Sequence, residues 1–149
     1  MKILVTGGAG FIGSAVVRFL INQTNDEVLN VDSLTYAGNL KNVEIASSSR
    51  RYHFIKVDLC DLQALKKAFD FFKPQSIIHL AAESHVDRSI NAPSKFIWTN
   101  IIGTYNLLET TREYLSAIDK KYVEKFRFLH VSTDEVYGDL DGPNEFFTE

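Results

Sequence analysis

The hydrophobic pattern along the chain switches repeatedly between two periods. Strand-length apolar runs stand at Lys2–Thr6 (KILVT), Glu27–Asp32 (EVLNVD), Tyr52–Val57 (YHFIKV), Ser76–Ala81 (SIIHLA) and Phe126–Val131 (FRFLHV). Between them lie stretches of helical period: Ser14–Asn22, Leu62–Phe72 and, after Pro93, a long one over Ser94–Leu115. In the last, Ile97, Ile101, Tyr105, Leu108 and Leu115 recur at helical steps. A short helix is also expected near Lys120–Lys125, and the polar segment SLTYAGNLKN reads as a loop. Runs that are apolar without alternation suit strands buried on both faces, as in a parallel sheet covered by helices. The alternation predicts an α/β, doubly wound parallel sheet of about five strands in the order 3-2-1-4-5. No internal repeat, low-complexity tract or linker interrupts it, so one domain is expected over residues 1–149.

Composition narrows the partners. A chain of 149 residues with 45% hydrophobic and 23% charged residues can build a core, and a net charge of −3 gives no reason to expect nucleic acid or anionic membrane. Cys60 is the sole cysteine, which excludes an intrachain disulfide and any multi-cysteine metal site. His53, His79, His85 and His130 fall on separate segments without ligand spacing, so no metal is expected. The first apolar run is too short for a signal peptide or membrane span. A soluble, cytoplasmic protein is the expectation.

The turn after the first run carries chemistry. Gly7, Gly10 and Gly13 form GxxGxxG between a strand and a helix. Glycines there allow a sharp turn and a close backbone approach to a pyrophosphate, and the helix N-terminus offers N–H groups and a positive dipole end. Asp32 ends the second strand 19 residues after Gly13, where its carboxylate accepts hydrogen bonds from adenosine ribose hydroxyls. A 2′-phosphate would meet that negative charge, so NAD is favoured over NADP. Asp58, at the tip of the third strand, either faces the adenine or caps the following helix. These features make the sheet Rossmann-like.

The fifth run is followed by STDEVYG, residues 132–138, which sets Asp134 and Glu135 side by side. Exposed acidic pairs in loops are usually only solvated. Ligands, however, bind outside the carboxyl ends of strands in open α/β sheets, which is where this pair falls. Successive strand residues face opposite ways, so the chain must bend at Asp134 for both to reach one substrate. His79 and His130 lie in apolar runs and read as core or hydrogen-bonded. His85 and Arg88 are left without a role, Arg88 having Asp87 as an alternative partner. Tyr137 reads as a packing residue.

GGAGFIGS at 7–14, LTYAGN at 34–39, LAAESHVDRSI at 80–90 and STDEVYG together resemble the dTDP-glucose 4,6-dehydratases, within the extended short-chain dehydrogenases/reductases. The resemblance spans the whole chain. It implies a lyase that dehydrates dTDP-glucose to dTDP-4-keto-6-deoxyglucose with NAD, in deoxysugar synthesis. Carbon 4 of the sugar is oxidised, the proton on carbon 5 is thereby acidified, and water leaves across carbons 5 and 6. The resemblance further implies Phe11 and Ile12 at the pyrophosphate, and Asp32, Ser33, Leu34 and Thr35 at the ribose. Asp58 and Leu59 would hold the adenine, while Leu80, Ala81, Ala82, Glu83 and Ser84 line the cofactor, with Thr99 touching it from the long helix. Ser84 and Thr133 would meet the sugar, Asp134 would act as general acid and Glu135 as general base.

The superfamily also carries Tyr-x-x-x-Lys, and no tyrosine after Glu135 is followed four residues later by lysine; Tyr137 is followed by Asp141. The expectation is a truncated N-terminal portion that binds NAD weakly and is inactive alone, with a homodimer in the longer enzyme. The apolar stripe Ile97–Leu115 should then be partly uncovered. Two alternatives stand beside this one. An epimerase of the same superfamily would leave the acidic pair without a task, and a non-catalytic NAD-binding module would need no tyrosine.

Overall fold

Strand β1 (Lys2–Thr6) lies at the centre of a five-stranded sheet in the order β3-β2-β1-β4-β5, with β2 spanning Glu27–Asp32, β3 Tyr52–Lys56, β4 Ser76–His79 and β5 Arg127–His130. Every neighbouring pair is parallel, with Leu4 opposite both Leu29 and Ile77. The computed structural model describes residues 1–140, 142 and 146–148, with all their side chains but those of Val86 and Arg88. The sheet order is the one the alternating pattern predicts.

Helices cover both faces. On one side α1 (Phe11–Gln23) and α2 (Glu44–Ser47) enclose Ile3, Val5, Val17, Ile21, Val28, Val43 and Ala46. On the other, α3 (Leu62–Phe72) brings Leu65, Phe69 and Phe72 onto Leu4, Leu29, Val31 and Ile77. Alternate residues of β1 therefore feed different cores, which is why its sequence shows no polar alternation. The edge strand β5 is different: Phe128 packs against a core while Leu129 is 56% exposed.

The region after β4 departs most from the pattern. A short α4 (Val86–Asn91) and α5 (Pro93–Phe96) precede a π-helical stretch, Ile97–Gly103, which passes into α6 (Thr104–Ala117); α7 (Lys120–Val123) follows. Tertiary contacts explain why Ser94–Leu115 is not one regular helix. The Cys60 thiol donates to the Trp98 carbonyl at 3.2 Å, Asn100 is engaged by the loop after β4, and Gly103 packs against Leu59. Such π turns recur at functional sites. Gly103, Leu107, Thr110 and Thr111 form the buried face, while Ile97, Ile101, Tyr105 and Leu108 are each about half exposed or more. Among the described residues no helix is long and apolar enough to cross a membrane.

Candidate functional site

All five strands run the same way, so their C-terminal tips share one edge of the sheet. At the tip of β1 the chain turns through Gly7, whose φ of +70° suits glycine, and whose added Cβ would lie 2.8 Å from the Ala81 backbone. The Gly7 N–H donates to the Val31 carbonyl and the Gly10 N–H to the Gly7 carbonyl, closing the turn. Gly13 packs its backbone directly on the Gly7 carbonyl, which leaves no room for a side chain. The first turn of α1 has neither a side-chain cap nor an acidic residue, so no side chain competes for its N–H groups and the positive end of its dipole. Phe11 is 91% exposed there.

Asp32 is buried at the tip of β2. Its Oδ2 accepts the Ala9 N–H at 2.9 Å and its Oδ1 the Leu34 N–H at 2.8 Å, tying the second strand to the glycine turn. A carboxylate has about four acceptor positions, so each oxygen keeps one beyond its backbone partner. Leu34 sits at φ +52°, a left-handed conformation unusual for leucine, and it folds the following segment back over the turn. There the Asn39 N–H and the Asn42 side chain both donate to the Ala9 carbonyl. Ser33 is partly buried and Thr35 exposed.

At the third tip Asp58 is exposed and accepts the Cys60 N–H, while the helix cap belongs to Asp61, which accepts the Ala64 N–H. Asp58 is thus no helix cap. Leu59 is buried in the core and presents only backbone, its carbonyl accepting from Asn106. The loop after β4 carries Leu80 to Ser84, with Ala82 and Ser84 exposed. Asn100 clamps it: its Oδ1 accepts the Glu83 N–H at 2.8 Å and its Nδ2 donates to the Glu83 carbonyl at 2.9 Å. Thr99, Thr35, Asp58 and Glu83 line a single cleft of about 420 Å³ together with Trp98 and Lys95. Sequence reasoning missed Trp98 and Asn100, which come into register through the π turn that no periodicity announces, and Lys95, which stands on the short helix α5 just before it.

His79 is buried with its ring 5.0 Å from that of His130, which is itself exposed rather than core. Burial, and secondarily the His130 charge, push the His79 imidazole down to about 4. The folded chain therefore holds His79 neutral through the range where an unfolded chain, near 6.5, takes up a proton. Stability is full above the unfolded value and declines as pH falls from there towards about 4.

At the fifth tip the extended chain ends at Thr133 and turns into a 3₁₀ segment, Asp134–Tyr137. The bend that two adjacent carboxylates need is present. Thr133 Oγ1 accepts the Glu135 N–H at 3.3 Å and lies 3.2 Å from Asp134 Oδ1, to which it donates. Thr133, Asp134, Glu135 and Tyr137 are all exposed, so Tyr137 does not pack beneath the site. His85 is exposed as well, and the side chain of Arg88 lies outside those described. Among the described residues no group of three or more His, Cys, Asp or Glu is placed to hold a metal ion.

Residues 4–149 match the family described as GDP-mannose 4,6 dehydratase. The chain belongs to that family. Within its wider circle, the chain is 60% identical over 145 residues to dTDP-glucose 4,6-dehydratase of Shigella flexneri, covering 97% of this chain and 40% of the relative. Among solved structures it is similar to dTDP-glucose 4,6-dehydratase from Bacillus anthracis in complex with NAD, with TM-score 0.82 and 37% identity over 100% of this chain and 42% of that one. It is also similar to UDP-glucose 4-epimerase of Thermus thermophilus in complex with NAD, with TM-score 0.68 and 38% identity over 76% of this chain and 34% of that one. The chain thus spans about 40% of the length of these family relatives.

Proposed function

We propose that this chain is the dinucleotide-binding part of an NAD-dependent nucleotide-sugar 4,6-dehydratase acting on dTDP-glucose. The observation that carries the reading is the meeting, at one sheet edge, of a side-chain-free anion cradle and an acidic pair on a bent strand tip. The match to dehydratase relatives over nearly the whole chain supports it. The residues present fit NAD: a Cβ would fill the cradle at Gly7 and Gly13, and Asp32 retains acceptor positions for the ribose. Phe11, Ile12 and Gly13 would hold the pyrophosphate through backbone, Asp58 and the Leu59 backbone the adenine, and Leu80–Ser84 with Thr99 the remainder. When bound, the nicotinamide supplies reversible oxidation of a sugar carbon.

The chain's own groups would do the rest. Thr133 orients the sugar through its hydroxyl, and Ser84 meets the sugar as well. Glu135 takes the proton from carbon 5, and Asp134 donates a proton to the hydroxyl leaving carbon 6. That division requires one carboxyl to be protonated and its neighbour ionised. Both are exposed among the described residues, so the dry surroundings that separate two acidities would come from the substrate lying over them. The exposed stripe of Ile97, Ile101, Tyr105 and Leu108 supports a homodimer, and the likeness to bacterial dTDP-glucose 4,6-dehydratases supports a cytoplasmic protein.

These 149 residues alone would bind NAD weakly and turn nothing over, since no Tyr-x-x-x-Lys follows Glu135. The test is calorimetric titration with NAD, beside an assay of a version extended to its relatives' length. NAD binding lost in Asp32→Ala, and dehydration lost in Asp134→Asn and Glu135→Gln of the extended version, are expected. Turnover by the 149-residue chain would contradict the inactivity claim. Inversion at carbon 4 without loss of water, by the extended version, would replace the dehydratase reading with the epimerase.

A further inference from the structure

We propose that Asn42 is a positioning residue for the cofactor phosphates: it sets where α1 begins and so keeps the Gly13 N–H open to an anion. The first backbone bond of α1 runs from the Ser14 N–H to the Gly10 carbonyl at 3.0 Å. Helical N–H groups bond four residues back, so one more residue of helix would spend the Gly13 N–H on the Ala9 carbonyl. Gly10 stands at φ −76° and ψ −177°. Rotation about ψ alone would make it helical, and no side chain hinders that rotation in a glycine. The capping residue therefore does not decide where the helix starts.

The Ala9 carbonyl decides it. Its oxygen accepts the Asn39 N–H and the Asn42 Nδ2 amide, both at 3.0 Å, which uses its two lone pairs. The Ala9 N–H is fixed as well, on Asp32 Oδ2 at 2.9 Å. Ala9 is fully buried, so both ends of this residue are held by the chain rather than by water. A saturated Ala9 carbonyl has no position left for Gly13. Among the described residues the N–H groups of Phe11, Ile12 and Gly13 have no acceptor, and lengthening the helix would take one of these three away.

Of the two donors only Asn42 acts through its side chain, and its backbone is held from two directions. It rides on the 3₁₀ turn Leu40–Val43, whose Val43 is buried in the core and whose cap is Asn39, accepting the Lys41 N–H. Arg18, on α1 itself, donates to the Asn42 carbonyl. The loop after β2 is thereby tied to the helix whose first turn it sets. That the anion is the cofactor pyrophosphate rests on the function proposed above; the start of the helix does not.

The experiment compares the 149-residue chain with its Asn42→Ala variant. In wild type without ligand the Gly13 amide should exchange unprotected, and ADP, which carries the pyrophosphate, should shift its ¹⁵N–¹H resonance. In Asn42→Ala an acceptor position opens on the Ala9 carbonyl, and Gly13 should gain about fivefold protection, the value of one hydrogen bond. ADP and NAD should then bind about fivefold more weakly, while adenosine, which has no phosphate, binds as before. Asn42→Gln, which keeps a donor amide, should recover part of the ADP affinity. A Gly13 amide protected in wild type overturns the proposal, as does unchanged Gly13 exchange in Asn42→Ala. A loss shared equally by adenosine also overturns it, since that marks a residue holding only the fold. If Asn42→Ala does not fold, Asn42→Asp, whose ionised carboxylate cannot donate, is read in its place; should neither fold, the wild-type Gly13 amide decides alone. Failure of wild type to bind either NAD or ADP counts against the functional reading and the cofactor role of Asn42 together, and Gly13 exchange still decides the start of the helix.

Discussion

Two glycines with positive φ mark the two halves of the candidate site, and their surroundings are opposite. Gly7, at φ +70°, lies against the Ala81 backbone, so that an added Cβ would meet it at 2.8 Å. Gly138, at φ +99°, closes the turn of the acidic pair and has nothing within 4 Å of its Cβ position. The cofactor half is built by the sheet, each strand tip bonded to the next by buried groups. Among the described residues, the acidic half is held by bonds among its own neighbours, from Thr133 to Gly138. Binding surface is thus part of the fold's stability on one side and nearly independent of it on the other.

The sharpest way to break that contrast is to put the same methyl group at both glycines. Gly7→Ala combines left-handed strain with an overlap against backbone that cannot move without shifting β4, and should cost about 3 kcal/mol of stability or more. Gly138→Ala meets only the conformational strain, and its exposed turn can relax, so about 1 kcal/mol is expected. Urea midpoints of the two variants measure the difference. Equal losses would show that the tip is as integral to the fold as the cradle.

How much of this was legible in the sequence follows the same division. The runs KILVT, EVLNVD and LQALKKAFDFF fall on β1, β2 and α3 at the residues read from the pattern, because both cores select the same apolar positions. The runs at 76–81 and 126–131 are apolar beyond their strands, since Leu80, Ala81 and Val131 continue as loop. The place of Asp32 at the tip of β2 was legible from the apolar run it ends. Asn100 and Trp98 were not, since contacts from residues about 17 and 38 positions earlier set the π turn that aims them, and neither was Lys95 on α5 just before it. The bend at Asp134 was inferred from chemistry, while the openness around it was not, because exposure depends on what packs nearby rather than on local sequence.

Asn100 tests whether the cradle's rigidity reaches the loop after β4. Asn100→Ala removes both bonds to Glu83 and should cost about 1–3 kcal/mol. Asn100→Asp keeps the acceptor for the Glu83 N–H but turns a carboxylate oxygen onto the Glu83 carbonyl. It should therefore lose no less than the alanine variant and recover as pH falls and the carboxyl protonates. Thermal unfolding of both across pH is the measurement. An aspartate variant as stable as wild type at neutral pH would mean that the clamp contributes through one bond only.

The smallest stability effect is expected where the chemistry is proposed. Asp134→Asn and Glu135→Gln remove charge from exposed positions whose backbone bonds run through Thr133 and not through the carboxylates. The Thr133 hydroxyl also donates to Asp134 Oδ1, an exposed bond that asparagine can still accept. Removing one of two adjacent like charges offsets part of any local loss. Each variant should stay within about 0.5 kcal/mol of wild type in urea unfolding. A loss of 2 kcal/mol or so in either would identify the pair as structural, with a partner for its charge that the exposed turn does not display. Indifference of the fold combined with lost dehydration in the extended protein would be the signature of residues retained for reaction alone, since a side chain that stabilises nothing has only its chemistry to account for it.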